Sequence, residues 1–312
     1  MPSLLTVGET PLRLSPPGNR RFVGSETVEM TATGTESNVA IAAAALGADA
    51  TWASTLPSTQ LGKRIVSELR EYGVETDVSW TDDGRVGLEF HQPGVSPREP
   101  VIIHDRDGAT AVSMTPADIP MADVEAADGV FASGSTAALS ETAAETLNAV
   151  LRAGGNDAGL SVFELDYRPR LWSPEDAHEA LAPLLENVDV LIANEDQLRT
   201  VFGRTGDPRE VAHGIASTLG LDLLAMTRGE YGALVIDDSV VHEIESVEAE
   251  TVDAAGQHDA FSGAFLTRLL DGAGPDVALS YAVAAATLTR TTPGPIPAFD
   301  RTDVEALVEQ LA

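Results

Sequence analysis

The sequence contains no cysteine, one lysine (Lys63) and no apolar run near the roughly 20 residues that a membrane helix needs. The first absence excludes a disulfide scaffold, a thiolate metal site and a thiol nucleophile. The last excludes a spanning helix, and the opening MPSLLTVGET lacks the basic start and apolar centre of a secretion signal. The chain is therefore expected to be soluble and cytoplasmic. Cations are scarce as a class: 19 Lys+Arg stand against 49 Asp+Glu, a formal net charge of −30. Such a charge repels nucleic-acid phosphates and anionic lipid heads, which sets aside nucleic-acid and membrane partners. Carboxylate excess with almost no lysine also suits a surface adapted to molar salt, where screening suppresses the repulsion between acids. On such a surface a lone acid says little about chemistry. The remainder is ordinary: 43% hydrophobic and 22% charged over 312 residues, enough for one large α/β domain.

Leu4–Val7 reads as a short buried strand stopped by Gly8. From Thr10 to Thr33 the chain reads as irregular, with a turn at Pro16-Pro17-Gly18-Asn19. A helix is expected from about Asn38 to Leu46, closed by Gly47, then a strand over Thr51–Thr55 and a helix over Gln60–Tyr72. Between Gly84 and Met114 the alternation of Val86, Leu88 and Phe90, with Gly/Pro turns, predicts hairpins. After Asp128, strands at Gly129–Ala132, Leu160–Leu165, Val188–Ala193, Leu223–Thr227 and Ala233–Ile236 mostly alternate with helices. That spacing calls for a parallel sheet covered on both faces. Asp259–Leu270, Pro275–Thr289 and Thr302–Leu311 read as closing helices.

The strongest local signal is Val252-Asp253-Ala254-Ala255-Gly256-Gln257-His258-Asp259-Ala260-Phe261-Ser262-Gly263. A glycine turn feeds the first turn of an apolar helix, where free N–H groups and the helix dipole favour an anion. On its own, Asp259 there also fits a plain helix-start acid. No G-x-x-x-x-G-K-[ST], no G-x-S-x-G and no H-x-x-x-H spacing occurs, which disfavours a P-loop enzyme, a hydrolase elbow and a zinc site.

This segment resembles the signature of the ribokinase-like (PfkB) carbohydrate kinases, D-T-x-G-A-G-D-x-F, with Gln257 and His258 departing from it. The resemblance implies a three-layer α/β sandwich over the whole chain, with a mostly parallel sheet and a small β-sheet lid from about 10–33 and 84–113. It implies that Asp259 takes a proton from the attacking sugar hydroxyl, with the amides of Gly256, Gln257 and His258 forming an anion hole. Gly34-Thr35-Glu36-Ser37-Asn38, which resembles the family's N-terminal motif, leaves Asn38 either on the sugar or capping its helix. Asn194-Glu195 and Thr227-Arg228-Gly229-Glu230-Tyr231-Gly232 resemble the nucleotide-binding segments, and 287–297 the stretch lining the base. By that likeness Asn194, Thr227, Arg228, Gly229 and Gly232 meet ATP, Glu195 meets magnesium, and Asp253 a monovalent cation such as potassium.

A narrower likeness, Glu164-Leu165-Asp166-Tyr167-Arg168-Pro169-Arg170-Leu171-Trp172-Ser173, is to the 2-keto-3-deoxygluconate kinases among them. It puts Arg168 and Arg106 on the carboxylate of a sugar acid, a task that suits planar guanidinium groups, beside Gly34, Asn38 and Phe90. A structural pair between Arg168 and the neighbouring acids is the plainer alternative. The expected activity is ATP-dependent phosphorylation of 2-keto-3-deoxygluconate, with a homo-oligomer formed through the lid. A fructokinase, a 5-dehydro-2-deoxygluconate kinase and a non-catalytic sugar-binding relative remain open.

Overall fold

Strands buried on both faces can be apolar throughout, and those of this chain line up that way. The computed structural model describes residues 1–155 and 159–311. Its strands are β1 (Ser3–Val7), β2 (Leu12–Ser15), β3 (Glu29–Ala32), β4 (Asp49–Pro57), β5 (Glu75–Thr81), β6 (Leu88–Gln92) and β7 (Val101–Asp105). They continue as β8 (Gly129–Ser133), β9 (Leu160–Glu164), β10 (Val190–Asn194), β11 (Leu223–Thr227), β12 (Ala233–Asp237) and β13 (Val240–Ile244). The helices are α1 (Thr35–Ala45), α2 (Gln60–Glu71), α3 (Met121–Ala126), α4 (Gly134–Ala137), α5 (Glu141–Gly154) and α6 (Pro174–Leu185). After them come α7 (Glu195–Phe202), α8 (Pro208–Leu219), α9 (Gln257–Leu270), α10 (Pro275–Thr289) and α11 (Arg301–Leu311).

Nine strands form one sheet in the order β13-β12-β11-β10-β9-β8-β1-β4-β5. Neighbours from β11 across to β5 pair in parallel, while β12 and β13 add an antiparallel edge. Successive residues of a strand serve opposite cores. Leu5, Val130 and Phe163 pack with α5–α8, whereas Leu4, Phe131 and Val162 pack with α1, α2, α9 and α10. The result is the three-layer α/β architecture expected from the strand–helix rhythm. A second, four-stranded sheet has the order β3-β2-β6-β7 and stands apart from the first.

Several expectations change. The stretch from Thr10 to Thr33 is not wholly irregular, because β2 and β3 pair antiparallel within it and β2 pairs in parallel with β6. The first helix begins at Thr35, with Gly34 at its N-cap, so Asn38 lies inside the helix and caps nothing. Val86 is buried and does not join Leu88 and Phe90 on an open face. The edge strands β5 and β13, whose sequences ETDVSWT and VVHEI mix polar and apolar residues, were not expected.

Helix α1 is buried nearly all round, wedged between the large sheet and α9. The two helices meet at Gly263, where a Cβ would lie 2.6 Å from both the Ala42 Cβ and the Val39 carbonyl oxygen. Only a residue without a side chain lets the backbones come so close. Replacing Gly263→Val should therefore cost about 1–3 kcal/mol of stability through overpacking. A lower midpoint in urea melting checks this, and an unchanged midpoint would show that α1 and α9 part freely.

Candidate active site

The strand order reverses at β1, with β8 on one side and β4 on the other, and open α/β sheets bind ligands at the carboxyl ends of strands at such a point. Here those ends open into a cavity of about 190 Å³, lined among others by Glu9, Gly34, Asn38, Glu164, Asp166 and Asp259. A second cavity of about 240 Å³ lies beyond it, with Thr227, Gly229, Gly232, Phe261, Thr287 and Arg290 in its wall. Ala254 and His258 line both. The start of α9 is thus the partition between the two spaces.

That start depends on Gly256. Its φ of 74° is left-handed, and a Cβ there would sit 2.0 Å from the Pro295 carbonyl oxygen. Gln257, His258 and Asp259 then occupy the first helical turn, whose N–H groups have no intrahelical acceptor. His258 is helical, so its side chain costs the backbone nothing. Its ring lies 3.3 Å from Thr227 Oγ1 through Nε2, and burial holds it below the usual histidine range, hence neutral.

Asp259 is the centre of the first cavity. Asn38 Nδ2, from α1, donates to its Oδ2 at 2.6 Å, and to the Pro295 carbonyl at 3.3 Å. Burial pushes the Asp259 carboxyl up to about 7; the Asn38 bond opposes this, Asp166 adds to it, and Arg168 and Arg13 oppose it. Behind it stand two acids that stay protonated. Glu164 is raised well above its usual range by burial and by Asp166 and Asp259, and accepts from Ser262 Oγ at 2.7 Å. Burial lifts Glu36 to about 8 despite its bonds from Ser133 N and Oγ.

Three arginines line the same cavity, each beside an acid. Arg168 reaches Asp166 through Nε at 3.2 Å and Nη2 at 3.1 Å, and this pairing outweighs burial and keeps Asp166 ionised. Asp166 itself has φ 30°, a left-handed value rare outside glycine, and is fixed further by Thr35 Oγ1 at 2.8 Å. Arg106 Nε donates to Glu9, and Arg13 Nε to Glu89 Oε1 at 2.7 Å. The plainer alternative, a structural pair, is present for Arg168, and Arg106 and Arg168 both line the cavity.

Most other residues singled out in the sequence lie elsewhere. Phe90 points to the face of β6 opposite Glu89 and packs edge-on against Phe22, outside the cavity wall. Asn194 caps α7 by accepting from Gln197 N, and Gln197, not Glu195, reaches the cavity. The Glu195 carboxylate is held by Arg199 at 2.6 Å and by Arg228 at 3.7 Å. Arg228 pairs mainly with Glu243 at 2.6 Å and leaves the second cavity to its glycine neighbours. Asp253 accepts from Ala255 N at 3.0 Å and Gly294 N at 3.2 Å, tying the loop before α9 to the one after α10. Gly34 lines the cavity, but its missing side chain makes room for the Glu9 carbonyl, 2.2 Å from where a Cβ would be.

Glu9, Arg13, Thr35 and Glu89 are cavity residues that sequence reasoning missed. Glu9 had a usable signal, since it follows Gly8 at the carboxyl end of a buried strand. Because the Asn38 bond holds the Asp259 proton down, Asn38→Ala should move its titration above 7. Carbon-13 NMR of labelled aspartate checks the direction; a midpoint that stays or falls would remove Asn38 as the controlling group.

The pfkB family carbohydrate kinase pattern matches residues 1–301. The 2-dehydro-3-deoxygalactonokinase of Haloferax volcanii is 41% identical over 305 residues, covering 98% of this chain and 96% of that protein. The 2-dehydro-3-deoxygluconokinase of Thermoproteus tenax is 30% identical over 294 residues, covering 92% and 88%. The crystal structure of 2-dehydro-3-deoxygluconokinase from Thermotoga maritima superimposes with a TM-score of 0.93 at 27% identity, covering 99% of this chain and 100% of that one. With a glycine-bent helix start between two cavities and a family match spanning nearly all of it, this chain belongs to the pfkB family of carbohydrate kinases, enzymes that phosphorylate sugars.

Proposed function

We propose that this kinase transfers the terminal phosphoryl group of ATP to the terminal hydroxyl of a 2-keto-3-deoxy sugar acid. The observation that carries the reading is Asp259, held by Asn38, titrating near 7, and facing the cavity from the first turn of α9. A base with a pKa close to working pH is both ionised and able to accept a proton with useful driving force. Asp259 takes the proton of the attacking hydroxyl. The open amides of Gln257 and His258 offset the negative charge on the phosphoryl group in transit, and losing one such donor typically costs about 10²–10³ in rate.

Arginines on a chain with a net charge of −30 support an acidic substrate, since Arg106 and Arg168 are placed in the cavity rather than on the surface. In this reading they grip its carboxylate, Gly34 and Asn38 flank its carbon chain, and the four-stranded sheet acts as a lid that keeps water from accepting the phosphoryl group. Phe261, Val283 and Ala286 give the second cavity an apolar side suited to the flat base of ATP, and the Thr227–Gly232 loop meets its phosphates.

Mg²⁺, when bound, neutralises phosphate charge. Among the described residues no group of three or more His, Asp or Glu side chains is placed to hold it, and Glu195 is committed to two arginines. A magnesium ion carried by the nucleotide phosphates needs no such protein cage.

The exposed side of the lid carries Ile103 and Val101, with Phe90, Leu14 and Met30 half-buried beside them, and we include pairing of two chains through this face in the proposal. Sequence reasoning favours the gluconate-derived keto acid. The 41% identity to the Haloferax enzyme favours its galactonate epimer.

A coupled ADP-release assay in molar KCl, run on both keto-deoxy acids and on fructose and 5-dehydro-2-deoxygluconate, tests the reading. Turnover on a keto-deoxy acid is expected, and turnover on fructose alone would overturn the substrate class. Asp259→Asn should lower kcat by orders of magnitude while both ligands still bind by calorimetry; full turnover would remove Asp259 as base. Arg106→Ala should raise the KM for the acid strongly, whereas a KM at the wild-type value would remove the carboxylate grip.

A further inference from the structure

The lid strands carry a charged row across the inside of the sheet that the proposed reaction leaves unused. Arg13 of β2 lies opposite Glu89 of β6, and Glu89 lies opposite His104 of β7. Alternation along β2 sends Leu12 and Leu14 to the other face, leaving Arg13 with the cavity. The Arg13 and Glu89 side chains are only 13% and 5% exposed, so the pair is shielded from solvent. Burial would raise the Glu89 carboxyl, but the charges of Arg13 and Arg168 outweigh it and keep it ionised. His104, with Nδ1 3.4 Å from Glu89 Oε2, is pushed down to about 4 by burial and by Arg106, and is therefore neutral. Arg13 is the one cation of the row.

The three cavity arginines differ in what they have left to offer. A guanidinium has five N–H donors. Arg168 gives Nε and Nη2 to Asp166, and Arg106 gives Nε to Glu9 while its Nη1 is sealed away without a partner. Arg13 gives only Nε, to Glu89. Its Nη1 and Nη2 have no acceptor among the described residues and are not enclosed by protein. The pair with Glu89 fixes the guanidinium in the cavity wall and leaves Nη1 and Nη2 without a protein acceptor among the described residues.

We infer that Arg13 is a third substrate-binding arginine, donating from Nη1 and Nη2 to oxygens of the sugar acid and helping to set which acid is accepted. Glu89 is its positioning partner. The inference rests on the sugar-acid reading, and its test separates the two.

Steady-state kinetics of the full chain on the better of the two keto-deoxy acids provide that test. Arg13→Met should raise the KM for the acid by about 10- to 100-fold, as expected for charge-assisted hydrogen bonds, with the KM for ATP unchanged. The double variant Arg13→Met/Glu89→Gln should stay as weak as the single one. If Arg13 served only to neutralise Glu89, the double variant would recover the wild-type KM. That recovery, or a wild-type KM in Arg13→Met, overturns the inference. Should the single variant fail to fold, the double variant decides alone by the same criterion. If the wild-type chain accepts neither keto acid, the sugar-acid reading fails by itself. The same variants are then measured on the neutral sugar it does accept, where an unaltered KM would also remove Arg13 as a substrate contact.

Discussion

The contact between α1 and α9 is the constraint on which both cavities depend. Gly263 lets the two helices touch along their backbones, and that closeness puts Asn38 within 2.6 Å of Asp259. Pro295, beyond α10, completes the arrangement: its carbonyl accepts from Asn38 and presses against the bare Cα of Gly256. One side chain from α1 therefore fixes the orientation of the carboxylate and the position of the helix start that carries it. The sheet provides the floor, but the alignment of acid and amides is a matter of helix packing.

Electrostatics divides the buried acids into two populations. Asp166 and Glu89 have arginines in contact and remain ionised in spite of burial. Glu36 and Glu164 have, among the described residues, hydroxyl or amide donors and no arginine partner, and are held protonated. Asp259 falls between, with a hydrogen bond but no arginine partner among the described residues, and its midpoint lies near 7. Neighbouring groups pushed apart in this way take different roles from the same functional group. A chain so poor in cations spends three of them in one cavity, each stationed by an acid that fixes its direction.

The large sheet was legible because strands buried on both faces read as apolar runs, and the stretch 190–193 does so without a break. The Gly256–Asp259 segment was legible because glycine followed by an acid and an apolar helix is a local pattern. The lid was harder. Its strands are short, Pro16 and Pro17 follow β2 closely, and the polar members of its alternation, Arg13 and Glu89, look like surface residues until the sheet is folded over the cavity. Asn194 and Glu195 show the converse. An N-cap with Gln197 at its third position and an acid four residues before Arg199 are both local helix signals, and each side chain is used locally. Which strand ends share one cavity depends on strand order, which no short window contains.

Residues 254–258 separate two chambers with a single turn of chain. Any displacement of that partition by an occupant on one side reshapes the wall met by an occupant on the other. Thermodynamic reciprocity then requires that whatever one guest does to the affinity of its neighbour, the neighbour returns in equal measure.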